Sequence, residues 1–152
     1  MRCLIFSLAV VLMLVACGKS PQEQAALLAE QASTLCEEGL FDKARTLIDS
    51  LRRTYPNNVK ARKTALRLHQ QVELEAAQEE LLQADSLLVL ANRELETLKK
   101  QVDAHKATLT ATAEELTLLT RTRMRRDSIR TLYETLGAKI RYIRKKQKEV
   151  TE

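Results

Sequence analysis

Residues 74–119 read LEAAQEELLQADSLLVLANRELETLKKQVDAHKATLTATAEELTLL. One row of mostly apolar side chains recurs here every seven residues, at Leu74, Leu81, Leu88, Leu95, Val102, Leu109 and Leu116. A second row lies three positions further on, at Ala77, Ala84, Ala91, Leu98, His105, Thr112 and Leu119. Two rows at this spacing are typical of a coiled coil. We call both rows, from Leu74 to Leu119, the seam, and we predict a long coiled-coil helix over residues 58–120.

The composition of the chain favours the same class of fold. The 152 residues include 3% aromatics, no Trp, three Gly and two Pro, and neither Gly nor Pro occurs from Asn57 to Leu136. Strands and hairpins draw on aromatic and β-branched residues and on Gly-containing turns. We therefore predict an all-α fold: a helical hairpin, the long coiled-coil helix and a basic C-terminal helix.

The seam needs a cover, because each Leu hidden from water is worth about 1.5–3 kcal/mol. Self-association, another protein or a folded-back helical bundle would each supply one. The heptad spacing alone does not select among these arrangements. His105 and Thr112 are polar breaks in the second row. We interpret His105 as a tolerated break rather than a metal ligand, because no partner ligand lies at a suitable spacing.

The N-terminus has the features of an export signal over residues 1–16. Arg2 supplies a positive start, an apolar run spans residues 4–15, and the small residue Ala16 stands before Cys17. This run of twelve residues, polar only at Ser7, spans about 18 Å as a helix, short of the roughly 30 Å of a bilayer core. The run is therefore too short for a stable membrane-spanning anchor.

Residues 14–17, Leu-Val-Ala-Cys, resemble the lipobox of bacterial lipoproteins. The resemblance implies cleavage between Ala16 and Cys17 and a covalent lipid on Cys17, with several acyl chains giving stable membrane attachment. In Gram-negative members of this family an Asp after the Cys signals retention at the inner membrane, whereas here Gly18 follows. The resemblance thus favours the periplasmic face of the outer membrane, with residues 17–22 as a lipidated tether.

Residues 23–57 have the pattern of a helical hairpin. Gly39 separates two amphipathic stretches, and Pro56 ends the second. The spacing resembles one tetratricopeptide repeat, with matching positions at Leu28, Ala32, Leu35, Ala44, Ile48 and Pro56. The resemblance implies a binding role, and a generic helical hairpin is the alternative. A lone repeat does not bury its own face, so the hairpin must pack on a neighbouring helix or on a partner.

The C-terminal segment, residues 121–152, is strongly basic. Residues 121–148 hold eleven Lys or Arg against two acids, a net charge of +9, whereas residues 69–120 carry −6. We predict a hinge at residues 120–128 and a candidate basic binding surface at Arg141, Arg144, Lys145 and Lys146. Anionic lipid head groups, the cell-wall polymer or an acidic protein surface are its possible ligands, and a solvated helix face is the alternative. We exclude nucleic acid, because an exported lipoprotein does not meet it.

No catalytic or metal-binding motif occurs in the sequence. It has no nucleophile elbow, no helical two-His zinc motif and no Cys pair. Cys36, the one free thiol of the predicted mature chain, has the setting of a small, partly buried residue, and an intermolecular disulfide is the alternative. We predict a protein that is not an enzyme and has no metal, no small-molecule substrate and no cofactor beyond the lipid on Cys17. Its predicted role is that of a tethered scaffold; the alternatives are a chaperone-like holder of unfolded envelope proteins and a regulatory subunit of an envelope enzyme.

Overall fold

The computed structural model describes residues 20–151, with side chains through Glu149. Four helices make up this part of the chain, and it contains no strand, which confirms the all-α prediction. The helices are α1 (Pro21–Glu37), α2 (Phe41–Thr54), α3 (Val59–Ala107) and α4 (Ala113–Thr151). The described residues divide into two compact units, the first ending at Leu68 and the second beginning at His69.

Helix α1 begins with a capping box. The Ser20 hydroxyl accepts a hydrogen bond of 3.2 Å from the Glu23 amide, and the Glu23 carboxylate accepts one of 2.8 Å from the Ser20 amide. Pro21 occupies the first helical turn, where its missing N–H costs nothing. Helix α1 therefore starts within residues 17–22, the predicted tether. The predicted tether extends two residues too far.

The turn between α1 and α2 depends on Gly39. Its φ of 73° lies in the left-handed region that favours glycine. The Leu40 amide donates to the Leu35 carbonyl at 2.8 Å, and the Gly39 amide donates to the Cys36 carbonyl at 2.9 Å. These two bonds form a Schellman motif, which satisfies carbonyls at the end of α1. The predicted hairpin with its turn at Gly39 is confirmed.

The first unit is held together by small and aliphatic side chains. Its buried residues are Ala25, Ala32, Cys36, Ala44, Ile48, Leu51, Ala61 and Ala65. The Tyr55 hydroxyl also donates to Oε1 of Gln24 at 3.1 Å, which joins the end of α2 to the start of α1. The start of α3 contributes Ala61 and Ala65, so within this unit the hairpin packs on a third helical segment.

In the second unit, α4 covers the seam of α3. Ala77 and Ala84 form a buried cluster with Leu136 and Ile140, and partly buried Leu74, Leu81 and Tyr133 pack against it. Arg125 Nη1 lies 3.1 Å from Glu94 Oε2, and Lys139 Nζ lies 2.7 Å from Glu73 Oε2. Residue numbers rise along α4 as they fall along α3, so the two helices are antiparallel. The chain itself supplies the cover that the apolar rows require.

The predicted long helix over residues 58–120 is wrong at its C-terminal end. Helix α3 stops at Ala107, and five residues connect it to α4. Leu109, a predicted seam residue, has a φ of 55° and is 94% exposed. Thr112, another, caps α4: its hydroxyl accepts from the Glu115 amide at 3.2 Å, while the Glu115 carboxylate accepts from the Thr112 amide at 3.0 Å.

The predicted hinge at residues 120–128 is also wrong, because α4 runs through this segment without a break. Its inward-facing row includes two polar side chains. Thr122 is buried, and the buried Nε of Arg126 lies 2.9 Å from Oδ1 of Asp127 without the alignment of a hydrogen bond. These polar side chains interrupt the apolar row of α4, so the sequence alone did not show that the helix is continuous through residues 120–128.

Candidate interaction surfaces

The predicted basic surface lies near the C-terminal end of α4. Ile140 and Ile143 are buried toward α3. Because consecutive helical residues differ by about 100° in direction, Arg141 and Arg144 project away from this buried row. Both are exposed, as is Lys145. The structure thus brings three of the four predicted cations to the surface.

Lys146 differs from the other three. Its Nζ lies 2.7 Å from Oε2 of Glu149 and 5.8 Å from the centroid of the Tyr142 ring. The hydrogen bond to Glu149, its negative charge and the Tyr142 side chain raise the pKa of Lys146. Lys146 therefore stays charged, but its charge is compensated locally. We place it at the margin of the surface rather than in it.

Arg141, Arg144 and Lys145 form no ion pair with any residue from 20 to 149. An Arg guanidinium presents a planar set of donors that matches a carboxylate or phosphate bidentately. Two such groups beside an ammonium group suit an anionic partner. We call these three residues the basic surface.

A second cationic surface lies in the first unit and was not predicted. A groove of about 570 Å³ between the end of α2 and the start of α3 has apolar walls from Pro56, Val59 and Leu66. Arg52, Arg62 and Lys63 also line it. The available signal was the pair of basic clusters on either side of the turn at Pro56. An apolar groove with cationic edges suits a segment that carries both apolar and acidic side chains.

Two other residues singled out in the sequence, His105 and Cys36, lie among the described residues. His105 Nδ1 lies 2.7 Å from Oε1 of Glu115, and no three potential metal ligands cluster among the described residues. Cys36 is 2% exposed, in agreement with a buried structural role. Ala16 and Cys17 lie outside the described residues.

Comparisons with protein-family models, curated proteins and solved structures find no match to this chain. The lipobox and the tetratricopeptide resemblance therefore rest on the residues that suggested them. Among the described helices, none has an apolar stretch of the length and hydropathy that crossing a bilayer requires.

Proposed function

We propose that this protein is a lipid-anchored envelope protein that acts as a non-enzymatic scaffold or protein–protein interaction module. The observation that carries the proposal is the sequence Leu-Val-Ala-Cys at residues 14–17, directly after an apolar export signal. Cleavage before Cys17 and acylation of its thiol tether the chain to a membrane. Gly18 favours the outer membrane, with the body of the protein on the periplasmic side.

Two features of the body support an interaction role. The basic surface offers guanidinium and ammonium groups that no described residue neutralises. The groove beside Arg52, Arg62 and Lys63 offers an apolar contact with cationic edges. Both surfaces carry positive charge and therefore favour a negatively charged partner. We infer that this partner is an acidic protein surface.

The test of the anchor is the substitution Cys17→Ser. It removes the thiol that receives the lipid, so the chain is expected to lose labelling by a fatty-acid analogue and to retain its signal peptide. Intact-mass measurement and labelling in cells check both outcomes. Cys36→Ser is the matched control, because it removes a buried thiol that plays no part in anchoring. Wild-type protein without a lipid mass would overturn the proposal.

A further inference from the structure

One face of the α3–α4 pair exposes large apolar side chains on both helices. The ion pair between Glu94 of α3 and Arg125 of α4 marks this face. One heptad away on each helix, and therefore on the same side, lie Leu87 and Leu132, which are 46% and 49% exposed. Leu118, one heptad from Arg125 in the other direction, is 52% exposed. We call this side the paired face.

Exposed apolar groups continue from these residues. Leu90 lies one turn from Leu87 on α3 and is also exposed. Toward the turn, Leu118 lines a shallow groove of about 340 Å³ with Glu94, Thr97, Leu98, Gln101 and Thr122. Leucines opposite one another on two neighbouring helices form a stripe that a further pair of helices is able to cover.

Charge is divided between the two helices on the paired face. Helix α3 contributes the acids Glu73, Glu80 and Glu94 at heptad intervals, interrupted by Leu87. Helix α4 contributes the bases Arg125, Lys139 and Lys146, interrupted by Leu132. The face thus consists of one acidic column and one basic column with an apolar centre in each.

We propose that the paired face is a self-association surface, and that two copies meet there about a two-fold axis parallel to the helices. This symmetry places α3 of one copy against α4 of the other at the same level along the axis. Leu87 then meets the second copy's Leu132, and Glu94 meets the second copy's Arg125. The product is a four-helix bundle with two equivalent contacts, each between α3 of one copy and α4 of the other, formed by the same residues.

The charge columns select this axis over the alternative. A two-fold axis perpendicular to the helices brings α3 against α3 and places acids opposite acids, and it does the same with the bases on α4. Like charges in direct opposition disfavour an association. The parallel axis instead puts every acid of one column opposite the basic column.

The face of the α3–α4 pair opposite the paired face is poorly suited to self-association. Its exposed apolar side chains, Leu82 and Val89, lie on α3. The neighbouring positions of α4 are the exposed arginines 123, 130 and 144. Apolar groups on one helix therefore have no apolar counterpart there. The proposal does not depend on lipid anchoring, so it stands or fails separately from the proposed function.

The test uses disulfide crosslinking of the full chain in cells, in a Cys36→Ser background. One tagged chain carries Leu87→Cys and a differently tagged chain carries Leu132→Cys. On denaturing, non-reducing gels, oxidation is expected to shift the co-expressed pair to the mass of a dimer containing both tags. Each chain expressed alone is expected to run at the mass of a monomer, because its introduced cysteine faces no cysteine of the second copy. Leu82→Cys with Arg130→Cys, on the opposite face, is the matched control and is expected to give no dimer.

A charge-reversal experiment checks the register without crosslinking. A Glu94→Arg chain is expected to lose capture of a second copy of itself, as is an Arg125→Glu chain, because each opposes like charges twice. Co-expression of the two is expected to restore capture, because both contacts between the copies are then complementary: the introduced arginine faces the introduced glutamate, and the native Glu94 faces the native Arg125. Crosslinking of the Leu87→Cys chain with itself, or no capture of wild type by wild type, would overturn the proposal.

Discussion

Leu109 and Gly39 occupy equivalent positions in two Schellman motifs. At the end of α3, the Thr110 amide donates to the His105 carbonyl at 2.8 Å, and the Leu109 amide donates to the Lys106 carbonyl at 3.1 Å. The same pair of bonds ends α1 around Gly39. The motif requires a left-handed residue, a conformation that costs a non-glycine residue roughly 1–2 kcal/mol.

We expect Leu109→Gly to stabilise the second unit by about 0.5 kcal/mol, because relief of the left-handed strain slightly exceeds the added entropy of an unfolded glycine. The exposed Leu109 side chain loses almost no burial. Urea unfolding measures the change. Gly39→Ala is the reciprocal control: a Cβ there meets no atom within 4 Å, so a loss of about 1 kcal/mol comes from the backbone alone. Destabilisation by Leu109→Gly would contradict this account of the turn.

At the scale of the element, the start of α4 depends on an ionised Glu115. The Thr112 amide donates to its carboxylate, and this bond, with the His105 contact, holds the pKa of Glu115 below its usual 4.5. A carboxyl whose pKa is lowered by folding stabilises the protein above its unfolded pKa, and this contribution is lost as the pH falls through the folded pKa.

Glu115→Gln is therefore expected to destabilise α4 at neutral pH, and the difference from wild type is expected to shrink as the pH falls below about 4.5. Unfolding free energies measured across this range check the convergence. Glu114→Gln is the matched control, because the Glu114 carboxyl is next to Glu115 in the sequence but lies outside the capping box. A difference that stays constant with pH would show that the carboxylate charge is irrelevant to the cap.

Helix α3 and the turn that follows it show how much of the fold the sequence predicts. The apolar rows predicted α3 correctly as far as Val102, since buried and half-buried residues follow that spacing. The rows continue numerically through Leu109, but no Gly marks the break. The signal that was present is the capping box from Thr112 to Glu115, a sequence pattern typical of a helix start. Counting heptad positions alone does not detect a turn across which the apolar residues keep the same seven-residue spacing.

At the scale of the whole molecule, the proposed function assigns anchoring to Cys17 and partner binding to the basic surface, which are separate parts of the sequence. Arg141→Gln with Arg144→Gln is expected to leave the lipid on Cys17 intact but to reduce the proteins recovered by crosslinking in cells. The control is Arg123→Gln with Arg130→Gln, which removes the same charge from the same helix nearer its N-terminal end, outside the basic surface. Unchanged crosslinking in the first variant would show that the basic surface plays no part in the proposed function. Recovery of lipid instead of protein would show that the partner is an anionic lipid and not an acidic protein surface.

The turn of residues 108–112 offers a place for a reporter. The bonds that end α3 reach no further than Thr110, and the capping box of α4 begins at Thr112. Peptide inserted between Thr110 and Ala111 therefore leaves both motifs whole. Doubling the length of a loop costs only about 0.6 kcal/mol of closure entropy. An epitope grafted there labels the protein in living cells at the turn between α3 and α4, away from the basic surface and from Leu87 and Leu132.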